Sequence, residues 1–345
     1  MSSGSDLEAE IRAQPEALER LLSTHLDTAR ELSKLLRGED LRFVLIAARG
    51  SSSNAARYAQ YVLGRAHRVP VALATPSLFT IYSQPPRLNG ALVVGISQSG
   101  ASPDVVAVLD EARRQGRPSI ALTNSPDSPL ARVSDGILPL EAGIEKAVAA
   151  TKTYSNSIAA IALLFCALTG DEKALSELLA MPERVAAQVE LAFRDQAPPP
   201  LNGSATATVI GRGVNSSTAR EVALKIRELS GLFVEAHSTA ELLHGPVAAL
   251  TAGSPVIGVA PPGPAFVNVV ETLLEARRRG AIALAIADPG LKGVDGVLPL
   301  VPNVPEWLSP LTAVVPGQVA GMRIGAALGR DVDRPAGLQK VTLTR

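Results

Sequence analysis

The sequence predicts an α/β protein of two tandem, doubly wound domains, each a parallel sheet flanked by helices, behind an N-terminal helical arm. Three observations predict it. Short unbroken apolar runs alternate with helix-forming stretches, as strands buried on both faces require. Glycine-containing turns follow the apolar runs, and the whole pattern occurs twice along the 345 residues.

The arm is residues 1–40. Leu7, Ile11, Leu18, Leu21, Leu22 and Leu32 recur at helical spacing between Asp6 and Leu36, and Arg37-Gly38-Glu39-Asp40 ends the run. The first domain is residues 41–195. Phe43 to Ala48 reads as a buried strand entering the turn Arg49-Gly50-Ser51-Ser52-Ser53-Asn54, with a helix from about Ala55 to Gly64. Leu92 to Ile96 is a second buried strand, entering Ser97-Gln98-Ser99-Gly100-Ala101-Ser102. A helix at Asp104–Gln115 and strands at Ser119–Leu122 and Gly136–Leu140 follow. Ile158 to Leu168 reads as a buried helix, with Cys166 packed in its core.

Residues 196–206, QAPPPLNGSAT, are rich in proline and read as a linker. The second domain, residues 207–330, repeats the first. At an offset of 163 positions, Arg49, Gly50, Ser53, Ala56 and Arg57 coincide with Arg212, Gly213, Ser216, Ala219 and Arg220. EARRQG and DGILPL in the first copy match EARRRG and DGVLPL in the second. Repeat units this long are duplicated domains, not solenoid turns. The tail, residues 331–345, carries Lys340.

The duplication works as an internal control. Ser97, Gln98, Ser99 and Ser102 fall opposite Ala260, Pro261, Pro262 and Ala265, while the glycines Gly95, Gly100, Gly258 and Gly263 persist. The polar side chains therefore belong to a ligand, and one such site per chain is expected, centred on the first domain.

Composition excludes several classes. Lys plus Arg equals Asp plus Glu at 33 each, and only 3% of residues are aromatic, so neither a basic field nor stacking platforms for nucleic acid are present. A single cysteine excludes a disulfide framework or a cysteine metal cluster within one chain. Four scattered histidines without HExxH give no metal spacing, and no cofactor is expected. The beginning, MSSGSDLEAEI, lacks the basic and apolar regions of a signal peptide, and no apolar run approaches the ~20 residues of a membrane span. A cytoplasmic location is the expectation.

Ser97 to Ser102 leaves a strand and opens a helix, where free backbone N–H groups and the helix dipole favour an anion. The small hydroxyls add donors, and the pattern is a phosphate cradle without a Walker lysine. Capping of the helix, with Pro103 at its first position, accounts for Ser102 alone. Ser52 lies at a second such turn. In Thr218–Ser230, Thr218 and Glu221 fit a capping box, and Lys225 stands one turn after Glu221 and three residues before Glu228. That row is either a surface ion-pair ladder or a carboxylate held beside a cation to move a proton. His244 ends a helix before Gly245-Pro246, where it either meets the dipole or acts in acid–base chemistry. Lys340, in an apolar terminal strand, is a tether, a surface charge, or an amine able to form an imine with a ketose.

The combination of GISQSGAS, EKAVAATK (Glu145–Lys152), EVALKIRELSGLFVEAHSTAELLHGP (Glu221–Pro246) and DRPAGLQKVT (Asp333–Thr342) resembles the sugar isomerase (SIS) family. More narrowly, it is similar to the isomerase half of glutamine–fructose-6-phosphate aminotransferase and to related glucosamine-6-phosphate deaminases. The resemblance implies two SIS domains of flavodoxin-like topology over residues 40–345. It implies that Ser97, Gln98, Ser99, Ser102 and Ser52 hold a sugar phosphate. Glu228 then moves a proton between C1 and C2, supported by Lys225, and Lys340 forms an imine. His244 opens the ring from a neighbouring subunit, so a homodimer is implied. Val148-Ala149-Ala150 would line the sugar, with Ala150 where the synthase has serine. The synthase's glutaminase region and its cysteine nucleophile have no counterpart in the sequence, so the expected direction is from glucosamine 6-phosphate to fructose 6-phosphate plus ammonia. The alternatives are a deglycase or isomerase of another phosphorylated ketosamine or aldose, and a non-catalytic sugar-phosphate sensor.

Overall fold

The computed structural model describes residues 5–35, 41–194, 201 and 203–340. The chain divides into two compact units. One comprises Glu16–Glu145, Lys152–Ala180 and Gln339–Arg345; the other comprises Met1–Pro15, Lys146–Thr151 and Met181–Leu338.

The arm is three helices, α1 (Asp6–Arg12), α2 (Gln14–Thr24) and α3 (Leu26–Leu35), rather than one continuous helix. Breaks fall at Ala13 and His25, and the six leucine and isoleucine positions of the apolar face are all buried. Helix α1 belongs to the second unit, and α2 and α3 to the first.

In the first unit the order is β1 (Phe43–Ala48), α4 (Gly50–His67), β2 (Val71–Leu73), α5 (Ser77–Thr80), β3 (Ala91–Ser97), α6 (Pro103–Arg114), β4 (Ser119–Thr123), α7 (Pro129–Val133) and β5 (Gly136–Pro139). Helices α8 (Lys152–Thr169) and α9 (Glu172–Leu179) complete it. The sheet runs β2-β1-β3-β4-β5, all parallel. All seven residues of β3 are buried, which is why it carries no polar alternation. Cys166 is buried in α8, and burial pushes its thiol up to about 12.

The second unit contains α10 (Met181–Arg194), β6 (Thr206–Gly211), α11 (Asn215–Ser230), β7 (Phe233–Ser238), α12 (Thr239–Leu243), β8 (Pro255–Ala260), α13 (Phe266–Arg278), β9 (Ile282–Ala287), β10 (Gly296–Pro299) and α14 (Ser309–Ala327). Its sheet runs β7-β6-β8-β9-β10 in parallel, the same topology as the first. Strands β1 and β6 coincide end for end at the offset of 163. Even a small polar fixture recurs: Asp135 accepts the amide of Ser119, and Asp295 accepts the amide of Ala283, each tying the last strand to its neighbour.

The first turns begin earlier than the sequence predicts. Gly50 and Gly213 adopt positive φ, +53° and +60°, so the chain turns sharply there; α4 starts at Gly50 itself and α11 two residues after Gly213. The expected capping box at Thr218 and Glu221 is absent. With α11 already begun, the Thr218 hydroxyl donates to the Asn215 side chain, and Glu221 lies within the helix. The capping box forms instead at Ser238 and Glu241, at the start of α12. Most of the proline-rich stretch falls at residues 195–200 and 202, outside the described residues.

Candidate functional site

Both parallel sheets present strand-to-helix turns at their carboxyl ends, where such sheets bind ligands. In the first unit the β3–α6 turn is built as a ring of donors. The carbonyl of Gln98 accepts the Asn124 amide and that of Gly100 accepts the Leu130 amide, so these acceptors are tied back into the fold. The hydroxyl of Ser97 accepts from the Gly100 amide and that of Ser99 from the Ala101 amide, which leaves both hydroxyl protons to donate elsewhere. The amides of Ser99 and Ser102 have no partner among the described residues. Gly100 has φ +60°, and a Cβ there would overlap the Ser128 side chain. Only glycine permits this closed turn.

Ser102 holds the N-cap position of α6, with Pro103 following, but its side chain makes no capping bond. Its hydroxyl is therefore not consumed by the helix. Ser52 lies in the first turn of α4, half-buried, and its hydroxyl has no partner among the described residues. Between the two turns lies an ion pair with no sequence signature of its own. The Arg49 Nε donates to the Asp104 carboxylate at 2.5 Å. Asp104 is fully buried in the first turn of α6. Arg49 reads in the sequence merely as a repeat mark shared with Arg212. The useful signal is that the matching start of α13, Val267-Asn268, carries no carboxylate.

The second unit carries the ionisable row. Lys225 and Glu221 are buried on α11, and the Lys225 ammonium lies 3.4 Å from Glu221 and 2.6 Å from Glu228. This is a buried ion-pair cluster, not a ladder in solvent. Glu228 alone reaches the surface, at 22% exposure of its side chain. A lysine taken out of water needs such partners. It holds Glu228 in one place through the buried Oε2, while the side chain as a whole stays partly exposed.

His244 is the C-cap of α12 and is exposed; its side chain makes no hydrogen bond among the described residues. No bond joins it to Lys225 or Glu228. Nearby Glu241 is held below the usual carboxylate range, chiefly because it accepts the Ser238 amide. Val148 and Ala150 lie in the segment Lys146–Thr151, where the Val148 amide donates to the Asp333 carbonyl.

Lys340 is not in a strand: residues 331–340 are irregular, and 341–345 lie outside the described residues. In the first unit its ammonium donates to Glu145 at 2.7 Å. The Glu145 side chain is fully buried and also accepts from the hydroxyl and amide of Thr153. Sequence reading allowed a tether at Lys340 but did not name its partner, because Glu145 and Lys340 stand far apart in the chain.

Among the described residues no group of three or more His, Cys, Asp or Glu side chains is placed to hold a metal, and no helix is long and apolar enough to cross a membrane.

The chain is thus a duplicated, doubly wound α/β protein, with a hydroxyl-lined turn in one copy and a buried lysine–carboxylate cluster in the other. The SIS domain model matches residues 36–167 and 201–292, and the chain belongs to that family. It is 32% identical over 339 residues to the isomerizing glutamine–fructose-6-phosphate aminotransferase of Pyrococcus horikoshii, covering 96% of this chain and 56% of that protein. The chain thus spans about half the length of this curated relative. Among solved structures it is similar to a provisionally named phosphosugar isomerase from Silicibacter pomeroyi DSS-3, with 31% identity, a TM-score of 0.83, and coverage of 96% and 99% of the two chains. It is also similar to the C-terminal domain of glucosamine-fructose-6-phosphate aminotransferase from Francisella tularensis, with 26% identity, a TM-score of 0.85, and coverage of 97% and 99%.

Proposed function

We infer that this chain is a sugar-phosphate isomerase that acts as a deaminase, converting glucosamine 6-phosphate to fructose 6-phosphate and ammonia. The observation that carries this reading is the Lys225–Glu228 pair, a buried cation fixing, at 2.6 Å, the carboxylate of a partly exposed side chain. The hydroxyls of Ser97, Ser99, Ser102 and Ser52, with Gln98, hold the phosphate. His244, supplied by a neighbouring copy in a homodimer, opens the sugar ring. Val148 and Ala150 line the sugar.

On the open aldehyde form, Glu228 takes the proton from C2 and the electron pair forms a C1–C2 double bond. O1 takes up a proton as the double bond forms; return of the first proton to C1, with an N–H proton released to water, leaves an imine at C2. The Lys340 amine adds to that carbon, ammonia leaves, and water then replaces lysine to give the ketose. No outside oxidant or reductant is needed.

The test is to follow ammonia and fructose 6-phosphate from glucosamine 6-phosphate. Both should appear together, and both should fall about 10²–10⁴-fold in Glu228→Gln while the sugar phosphate still binds. Mixing Glu228→Gln with His244→Asn should restore part of the activity if subunits share sites; no recovery on mixing argues that each copy works alone. If the wild-type chain binds the sugar phosphate and releases neither product, deamination is wrong. Ala150, with no hydroxyl, then directs the search to other phosphorylated ketosamines.

A further inference from the structure

The phosphate cradle of the first unit contains hydroxyls and amides but no cation of its own. A phosphate monoester carries close to two negative charges at neutral pH, its second pKa being near 6. We propose that Arg49 supplies that cation and is a phosphate-binding and specificity-determining residue of this site. The proposal rests on the sugar-phosphate reading above and names a residue which that reading does not use.

Arg49 immediately precedes Gly50, so it stands at the β1–α4 turn beside Ser52. Its Nε donates to Asp104 in the first turn of α6, the helix that the Ser97–Ser102 turn opens. One guanidinium thus spans the two turns that carry the proposed phosphate ligands. Asp104 is fully buried, while the Arg49 side chain is 49% exposed. The pairing uses Nε, and the terminal amino groups have no partner among the described residues. A guanidinium held by one edge keeps a fork of donors for an oxyanion.

The pairing also removes an obstacle. A bare carboxylate at Asp104 would repel a phosphate bound at the same helix end. Its second oxygen is already turned to the Val105 amide, and Arg49 offsets the charge. The second copy lacks the arrangement. Arg212 coincides with Arg49, but the matching start of α13, Val267-Asn268, offers no carboxylate, and Arg212 makes no ion pair among the described residues. Where the hydroxyls are lost, the arginine has lost its anchor too.

The experiment is calorimetric titration of the full chain with fructose 6-phosphate, glucosamine 6-phosphate and inorganic phosphate between pH 5 and 7.5. Arg49→Met should weaken sugar-phosphate binding about 10- to 100-fold, as loss of a charged hydrogen bond predicts. The rise in wild-type affinity as the phosphate loses its second proton, near pH 6, should flatten in the variant. Arg49→Lys should recover part of the loss. Because Arg49→Met strands a buried carboxylate, the double variant Arg49→Met/Asp104→Asn is measured beside it. Weak binding that persists in the double variant supports a direct contact. Full recovery there, or an affinity and pH slope unchanged in Arg49→Met, overturns the proposal and leaves Arg49 as a counter-charge for Asp104. A wild-type chain that binds none of the three probes overturns both this proposal and the cradle reading.

Discussion

The two copies of the domain share topology and register but have divided the chemistry between them. In the first, the amide of Ser102 lacks a partner and hydroxyls surround it. In the second, the corresponding amide, of Ala265, donates to the carboxylate of Glu306, which also crowds Gly263. In the second copy a carboxylate of the protein itself occupies the matching turn. The helix that follows the first strand shows the reverse. Glu221, Lys225 and Glu228 of α11 fall opposite Tyr58, Val62 and Arg65 of α4. Tyr58 and Val62 are apolar core where the second copy buries an ion pair. A duplicated fold tolerates this exchange because strands and glycine turns carry the architecture, leaving turn and helix side chains free to specialise.

Substitutions can break this comparison at graded cost. The largest effect is expected from Lys225→Met, which strands Glu221 in the core and should destabilise the protein by about 3–5 kcal/mol. Arg65→Ala, on the matching exposed helix face of the first copy, should stay within about 0.5 kcal/mol. Urea unfolding midpoints measure both, and equal losses would mean that the ion-pair cluster carries no special burden. Ser99→Ala should weaken sugar-phosphate binding about tenfold with little change in Tm, since it removes one hydroxyl donor to a charged group. An unchanged Kd would move the cradle elsewhere.

Smaller effects sharpen the likeness rather than the difference. Asp295 is held below the ordinary aspartate range, first because it accepts the Ala283 amide and then through Arg277. A carboxyl with a depressed folded pKa contributes stability that is complete above its unfolded value of about 3.9 and is lost as pH falls below it. Asp295→Asn should therefore destabilise at pH 7, with the gap to wild type narrowing as pH falls below about 3.9, as chemical denaturation at pH 7 and pH 3 would reveal. A gap that persists undiminished at pH 3 would assign the effect to packing. Glu306→Gln should cost about 0.5–1 kcal/mol by removing charge from the start of α13. It should leave sugar-phosphate affinity untouched, and a second binding event per chain would show that the carboxylate alone had kept that turn closed.

Much of the fold was legible in the sequence because its cause is local. Uninterrupted apolar runs such as Leu92–Ile96 cannot face water, and Gly50 and Gly100 mark turns that other residues enter with strain. The repeat then sets both sheets at once. The hydroxyl-lined turn was legible for the same reason, since Ser97 to Ser102 is contiguous and its hydroxyls are missing from the second copy. The capping box was misread because Thr218 and Glu221 fit the pattern while Gly213 had already started the helix. Arg49–Asp104 and Glu145–Lys340 went unseen because each joins positions with no fixed spacing.

What the sequence determined alone, then, was the class of fold, its duplication, and the contiguous motifs that carry hydroxyls, glycines and the Lys225–Glu228 spacing. Only the tertiary structure decided which charges are buried and which partners they meet. Burial turns the Glu221–Lys225–Glu228 row from a solvated ladder into a fixed cluster, and it gives Arg49 and Lys340 their carboxylate partners. Periodicity reports on the face a residue prefers, but the cost of a buried charge depends on the neighbours that folding brings to it.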